Sequence, residues 1–308
     1  MRSPLNKRLF RELRGEFGKY LVIFILMTLT IGMVSGFLVA DGSMIQAYEE
    51  SFEKYNIENG HFRTEKKMNN AQIQDIEDLG IKLYENYYVE EALTNGSTMR
   101  IFKNRDEVNK VCLMKGKMPE KPGEIGIDRM YADNNDLSVG DEIESGGHTW
   151  KITGLVALSD YSALFSNNND SMFDSVKFGV SVVCPEEFDS YKADQLNYSY
   201  AWKYNTEPKN EKAEKDISED LMEDVAKEVT LEEFVPRYTN QAIIFTGDDM
   251  GGDRSMMIVL LYIIIVIMAF VFAITTSNTI RKEANVIGTL RASGYTRGEL
   301  IRHYMAAP

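Results

Sequence analysis

"SMMIVLLYIIIVIMAFVFAITTSNTI", residues 255–280, runs for 26 positions without one charged side chain. A helix rises about 1.5 Å per residue, so this run outreaches the roughly 30 Å of a hydrocarbon core. A second such run, "YLVIFILMTLTIGMVSGFLVA", fills residues 20–40 with 21 uncharged positions. Both are too long for an ordinary core helix and predict two transmembrane helices. The first has a basic flank like a secretory leader. Its apolar stretch outruns a leader core, however, and "LVADGS" is a poor small-residue cleavage site, so a retained span is expected.

Working outward, the charges are unevenly placed. The chain of 308 residues carries net charge −13, yet residues 1–40 hold six basic side chains against two acidic ones. Residues 281–308 hold five against two, so the acid is concentrated between the spans. Under the positive-inside rule both ends face the cytoplasm and residues 41–254 face outward. The expected organisation is a cytoplasmic amphipathic helix over 1–19, a span over 20–40 and an extracytoplasmic domain over 41–254. A second span over 255–280 and a cytoplasmic segment over 281–308 complete it. Leu5, Leu9, Leu13 and Phe17 form the apolar stripe of the first helix, with Ser3 as its cap and Pro4 in its first turn. Such a helix lies along anionic lipid; the same basic residues also serve as topology-setting charges with no helix at all.

Small residues recur at helical spacing within the spans: Thr28, Gly32, Gly36 and Ala40 in the first, Ala269, Ala273 and Ser277 in the second. Ridges of this kind let helices approach closely in lipid, though glycine and alanine are common in spans for their own sake. Neither span carries an ionisable residue, so no ion or proton path is indicated.

Between the spans the pattern is mixed. "SMIQAYEESFEKYNI" extends the first span as helix, and "NNAQIQDIEDLGI" predicts a short helix ending at Gly80, with Ile73, Ile76 and Leu79 inward. "KLYENYYVEEA", "STMRIFKN", "VNKVCLMKG" and "KFGVSVVCP" read as strands. Pro119, Pro122-Gly123, Gly140-Asp141 and Gly146-Gly147 punctuate short strands and predict a β-rich lobe over about 107–157. "EKDISEDLMEDVAKEV" is an amphipathic helix through Ile217, Leu221, Val225 and Val229, and Gly251-Gly252 predicts a hinge before the second span. The fold class is thus a membrane protein of α+β type, two transmembrane helices flanking a mixed α/β extracytoplasmic domain.

The catalytic inventory is thin. There is no G-x-S-x-G, H-E-x-x-H or phosphate-loop pattern, and His61 and His148 read as surface or turn histidines. Asp248, Asp249 and Asp253 do not match an EF-hand, and no metal site or cofactor is expected. "SNNND", 166–170, reads only as a polar loop. Cys112 and Cys184 stand either as a disulfide or as two buried thiols.

Two stretches carry a family likeness. "MKGKMPEKPGEIGIDRMYADNNDLSVGDEI" resembles the MacB-type extracytoplasmic core domain, with its P-x-x-P-G-E-I strand and V-G-D turn. "RKEANVIGTLRASGYTRGELIRHY", 281–304, resembles the cytoplasmic segment of FtsX-like ABC-transporter permeases, with its basic-basic-x-x-x-x-I-G-x-L-R-A-x-G pattern. The order of elements matches too, so the resemblance covers essentially the whole chain. It implies a permease subunit, without enzymatic activity of its own, in a bacterial cell membrane. Its interrupted helical elbow would dock on a separate ABC ATPase subunit through Val286, Ile287, Gly288, Leu290, Arg291, Ala292 and Gly294. It further implies membrane lipid and further permease spans or a second permease copy as partners, and no nucleic acid. Because such permeases continue with more spans, residues 1–308 are expected to be the amino-terminal part of a longer protein. Within the residues alone, a break at Ser293-Gly294 and a T-x-x-E capping box at Thr296 and Glu299 predict the elbow. The competing expectation is a two-span sensor whose exterior domain binds a ligand; it would need an output module after residue 281.

Overall fold

A computed structural model describes residues 14–305; the stripe residues Leu5, Leu9 and Leu13 lie outside them. Two helices dominate the ends of the described chain: α1 (Phe17–Lys54) and a later helix of 42 residues, Gln241–Lys282. Both are long and apolar enough to cross a membrane, and only 11% and 6% of their most apolar windows are buried. That separates them from core helices, whose apolar faces are covered. The predicted hinge at Gly251-Gly252 is absent: the second helix runs through both glycines without interruption. Its flanking residues hold the i→i−4 ladder, and a helix interior tolerates glycine at a cost of about 1 kcal/mol.

Residues Gln46–Asp249 form a separate compact unit. Its order is β1 (Gly60–Thr64), α2 (Asn70–Glu77), β2 (Ile81–Glu85), β3 (Tyr88–Ala92), β4 (Thr98–Lys103), β5 (Val111–Gly116) and β6 (Glu124–Asp128). There follow α3 (Arg129–Asn134), β7 (Glu142–Ser145), β8 (His148–Leu158), β9 (Phe178–Val183) and α4 (Pro185–Phe188). Last come β10 (Tyr198–Tyr204), α5 (Glu211–Glu228), β11 (Leu231–Pro236) and the start of α6 (Gln241–Lys282).

The strands make two sheets. The first, in order β11-β1-β10-β2, is antiparallel throughout. Alternation along β1 and β10 sends Phe62, Tyr200 and Trp202 to one face, where they stack with Phe234. Helices α2 and α5 cover that face with Ile76, Leu221 and Val225. The close packing demands Gly60, since a Cβ there would sit 2.3 Å from the Trp202 ring. Two residues expected inward, Leu79 and Ile217, are instead exposed: each sits at the rim of its helix, one past the last turn of α2 and one a turn before the covered stretch of α5.

The second sheet runs β3-β4-β9-β6-β8-β5, with β7 on β8. Its central strand β9 is buried at all six positions, which explains its unbroken apolar run. The strands of residues 107–157 therefore do not stand as a lobe of their own; β6 pairs with β9 and shares the core of β4. Both cysteines are free thiols, Cys184 buried and Cys112 against the Tyr55 hydroxyl at 3.2 Å.

Polar clasps fix the inner ends of the long helices within this unit. Asn168 accepts from the Gln241 backbone N–H at 2.9 Å and Asn240 accepts from that of Ala242 at 3.1 Å, satisfying first-turn donors of α6. Ser162 donates to the carbonyls of Ala242 and Ile243 at 2.9 and 2.8 Å, and Tyr48 of α1 donates to the Ile243 carbonyl at 3.0 Å. Phe165, Phe173 and Phe245 pack edge to face beside them. At the end of α1, Asn56 donates to the Glu107 carbonyl at 2.8 Å, and the Asn109 amide oxygen accepts from the Glu58 N–H at 2.9 Å.

Helix α3 is capped by Asp128, which accepts from Met130 and Tyr131 backbone N–H groups at 2.8 and 3.2 Å. Burial pushes its carboxyl up to about 6, against the pull of those two bonds. A carboxyl raised in the fold contributes stability that is complete below its unfolded pKa of about 3.9 and is lost as pH rises through the folded value. Asp128→Asn keeps the cap acceptor and removes the charge. Denaturation followed by the fluorescence of Trp150 and Trp202, both in this unit, should show the variant gaining on the parent between pH 4 and 7, by on the order of 1–3 kcal/mol. A constant difference across that range would contradict the assignment.

Candidate functional site

The segment after the second apolar run is built from backbone geometry. Helix α6 gives way at Glu283 (φ −99°, ψ 12°) to α7 (Ala284–Ala292), with the ladder bridged by Ile287 N–H to the Glu283 carbonyl at 2.9 Å. Gly294 then takes φ +96°, a left-handed conformation that glycine adopts at no steric cost. The Tyr295 N–H donates to the Leu290 carbonyl at 3.2 Å and the Gly294 N–H to the Arg291 carbonyl at 3.1 Å. This pair of bonds is a Schellman stop.

A new helix, α8 (Arg297–Met305), starts at once. Thr296 Oγ1 accepts from the Glu299 N–H at 3.3 Å while the Glu299 carboxylate accepts from the Thr296 N–H at 2.9 Å, so the capping box forms. Those bonds hold the Glu299 carboxyl below its usual range. Leu300 and Tyr304 are buried, and the Tyr304 hydroxyl donates to the Glu283 carboxylate. Helix α8 thus folds back on the α6–α7 junction, a contact the sequence offered no means to foresee.

On this elbow Ile287 and Leu290 are half-buried, whereas Val286, Gly288, Arg291, Ala292 and Gly294 are exposed. The exposed set forms the outer surface on which another protein could seat. Beside it, Glu16 accepts from Lys19 at 2.9 Å and pairs with Lys282 at 3.4 Å, and Lys19 also reaches Thr279 Oγ1 at 3.2 Å. The basic flanks of the two apolar helices are therefore side by side.

The small-residue ridges are not what joins these helices. Thr28, Gly32, Gly36 and Ala40 are exposed, as are Ala269, Ala273 and Ser277, and nothing lies within 4 Å of a Cβ built on Gly32 or Gly36. The covered residues include Ile23, Met27, Thr30 and Val34 in α1 and Met257, Leu261, Ile264 and Met268 in α6. They alternate by three and four, the spacing of a knobs-into-holes seam. These side chains are the shielded ones, and the small-residue ridges face outward.

Among the described residues no group of His, Cys, Asp and Glu is arranged to hold a metal ion. His148 is exposed and stacks on Trp150 with ring centroids 5.5 Å apart. His61 departs from expectation: it is half-buried on β1, with Nδ1 2.6 Å from the buried Glu58 carboxylate. Glu58 is only three residues away, but its burial, which Asn109 secures from 51 positions further on, has no signal in the neighbouring sequence.

No protein-family model matches the chain, and no curated protein matches it. Among solved structures it is similar to the periplasmic region of MacB from Actinobacillus actinomycetemcomitans, with 11% identity and a TM-score of 0.31 over 55% of this chain and 85% of that one. It is also similar to the extracellular domain of the noncanonic ABC-type transporter YknZ from Gram-positive bacteria, with 10% identity and a TM-score of 0.30 over 55% of this chain and 92% of that one. Superpositions this loose fix neither strand-by-strand equivalence nor activity.

Gly294→Ala forces a Cβ into the left-handed region, at a cost of about 1–2 kcal/mol. Limited proteolysis of the detergent-solubilised chain should cut residues 291–297 several-fold faster in the variant. Equal cutting would show that the turn is not under conformational demand.

Proposed function

We propose that the chain is the permease subunit of an ABC transporter, resident in a bacterial cell membrane with both ends cytoplasmic and residues 41–254 outside. The observation that supports this most is the elbow: a capped helix-turn-helix placed directly after an uncharged apolar helix, with Val286, Arg291 and Ala292 on its outer surface. Arg291 and Ala292 are specified positions of the quoted FtsX-like pattern, and Val286 directly precedes its I-G pair. In this reading ATP is bound and hydrolysed by a partner ATPase, and the chain performs no bond chemistry of its own. Closure of the ATPase pushes the elbow. The apolar helices, whose far ends are clasped within the Gln46–Asp249 unit, carry that push to the exterior domain for export or mechanotransmission. The outward ridges at Gly32, Gly36, Ala269 and Ala273 suit lipid, further spans or a second copy.

The full-length gene product, purified in mild detergent from its native cell, should bring down an ATP-binding protein. Val286→Asp and Arg291→Glu alter exposed side chains and so spare the elbow's own packing. Each should lower that recovery by at least about tenfold, as loss of an interface anchor does. Undiminished recovery with both variants would contradict docking at this surface.

A further inference from the structure

Within the Gln46–Asp249 unit, a cavity of about 180 Å³ lies between the polar face of the first sheet and the facing strands β3 and β4. Its size is that of one small molecule: an apolar cavity of about 150 Å³ admits benzene. This cavity is polar, and most of its charged groups already satisfy one another. Arg105 spans both oxygens of Asp160 at 2.7 Å each, and Arg100 donates to the Glu90 Oε1, the Tyr161 hydroxyl and the Ser166 carbonyl. Glu58 is held by His61 on one oxygen and by Asn109 on the other, both at 2.6 Å.

Four valences are left over. His61 uses only Nδ1, so its Nε2 has no partner among the described residues. Burial disfavours charge on this ring, but the Glu58 charge and hydrogen bond outweigh that and raise its pKa, which favours the protonated ring, in which Nε2 is a donor. Arg63, two residues along β1 on the same face, has a buried Nε without an acceptor; its ion pair to Glu232 is 3.1 Å and that to Glu233 a loose 3.8 Å. On the acceptor side, no hydrogen bond reaches the carboxylate of Glu233, which stands opposite Arg63 across the β1–β11 pair. The second oxygen of Glu90, on the facing sheet, is likewise unused. Unfilled donors and unfilled carboxylate oxygens therefore face one small space from two sheets. Of these groups only the Arg63 Nε is fully buried without an acceptor; the Glu90 and Glu233 carboxylates are partly hydrated, and a ligand of matching charges replaces that water while giving the guanidinium nitrogen its acceptor.

We propose that this cavity binds a small zwitterion of the size and charge separation of a free α-amino acid, its carboxylate received by His61 and Arg63 and its ammonium by Glu233 and Glu90. A plain anion would meet the carboxylates, and a plain cation the imidazole and guanidinium. The place matters as well as the chemistry. The lining includes Glu58, which follows the last turn of α1, and Asn240 and Ala242, which open α6. An occupant thus touches both points at which the chain enters and leaves this unit, and its presence would bias how those points are held. This inference stands on the cavity alone and is independent of any ATPase partner.

The test uses the full chain in detergent. Thermal unfolding and titration calorimetry are run with each of the twenty L-amino acids, and with acetate and ethylammonium as the separate charged halves. At least one amino acid should raise the melting temperature saturably while neither half does so at equal concentration. Glu233→Gln, at a half-exposed carboxylate, should weaken that binding by about tenfold, the loss of one charge-assisted bond. Glu90→Gln on the other sheet should do the same, so that one misfolded variant does not decide the matter. No response to any amino acid, equal binding of acetate alone, or unchanged affinity in both variants would overturn the proposal.

Discussion

Two helices expose most of the apolar side chains of their long uncharged runs, and that single constraint organises the rest of the chain. In water the exposed surface of residues such as Phe24, Leu29, Ile263 and Phe270 would cost about 25 cal/mol for each Å² left uncovered. In hydrocarbon it costs nothing, and the helical backbone bonds itself completely, as any spanning segment must. The basic residues then gather at the flanks, where Glu16, Lys19 and Lys282 knit the two helices together. The acidic surplus falls between them in sequence.

The mixed α/β unit answers a different demand, to hold two helix ends firmly while offering polar surface. Its aromatic face, Phe62, Tyr200, Trp202 and Phe234, supplies the burial. Its amide clasps satisfy first-turn N–H groups of the second helix that would otherwise lack partners, and its hydroxyls add second bonds to carbonyls of that turn. Tyr48 bonding to the Ile243 carbonyl ties one helix to the other inside this unit. The elbow, by contrast, is held by backbone bonds, the Thr296–Glu299 capping box and the Tyr304 hydroxyl on Glu283, with Val286, Arg291 and Ala292 exposed.

Much of this was legible from the sequence because it rests on local rules. Long uncharged runs, the Thr296–Glu299 box, the Gly294 stop and the buried strand at 178–183 each follow from a few neighbouring residues. What escaped depends on distant partners. The polar loop 166–170 carried no local signal of its role, yet Asn168 caps a helix 73 positions later. His61 looked like a surface histidine because the Glu58 carboxylate it meets is itself buried and held by Asn109, a residue 51 positions further on. Gly251-Gly252 suggested a hinge, but a continuous ladder overrode weak propensity. The small-residue ridges are exposed, since spacing alone cannot say which helix face meets which.

The central claim is that the membrane separates the elbow from the sheets. It is tested most directly by single cysteines placed in a cysteine-free background, at Glu186 in the sheet unit and at Arg291 in the elbow, and probed with a membrane-impermeant maleimide. Intact cells should label the first site at once and the second only after permeabilisation. Labelling of Arg291→Cys in intact cells, with Glu186→Cys protected, would contradict the account.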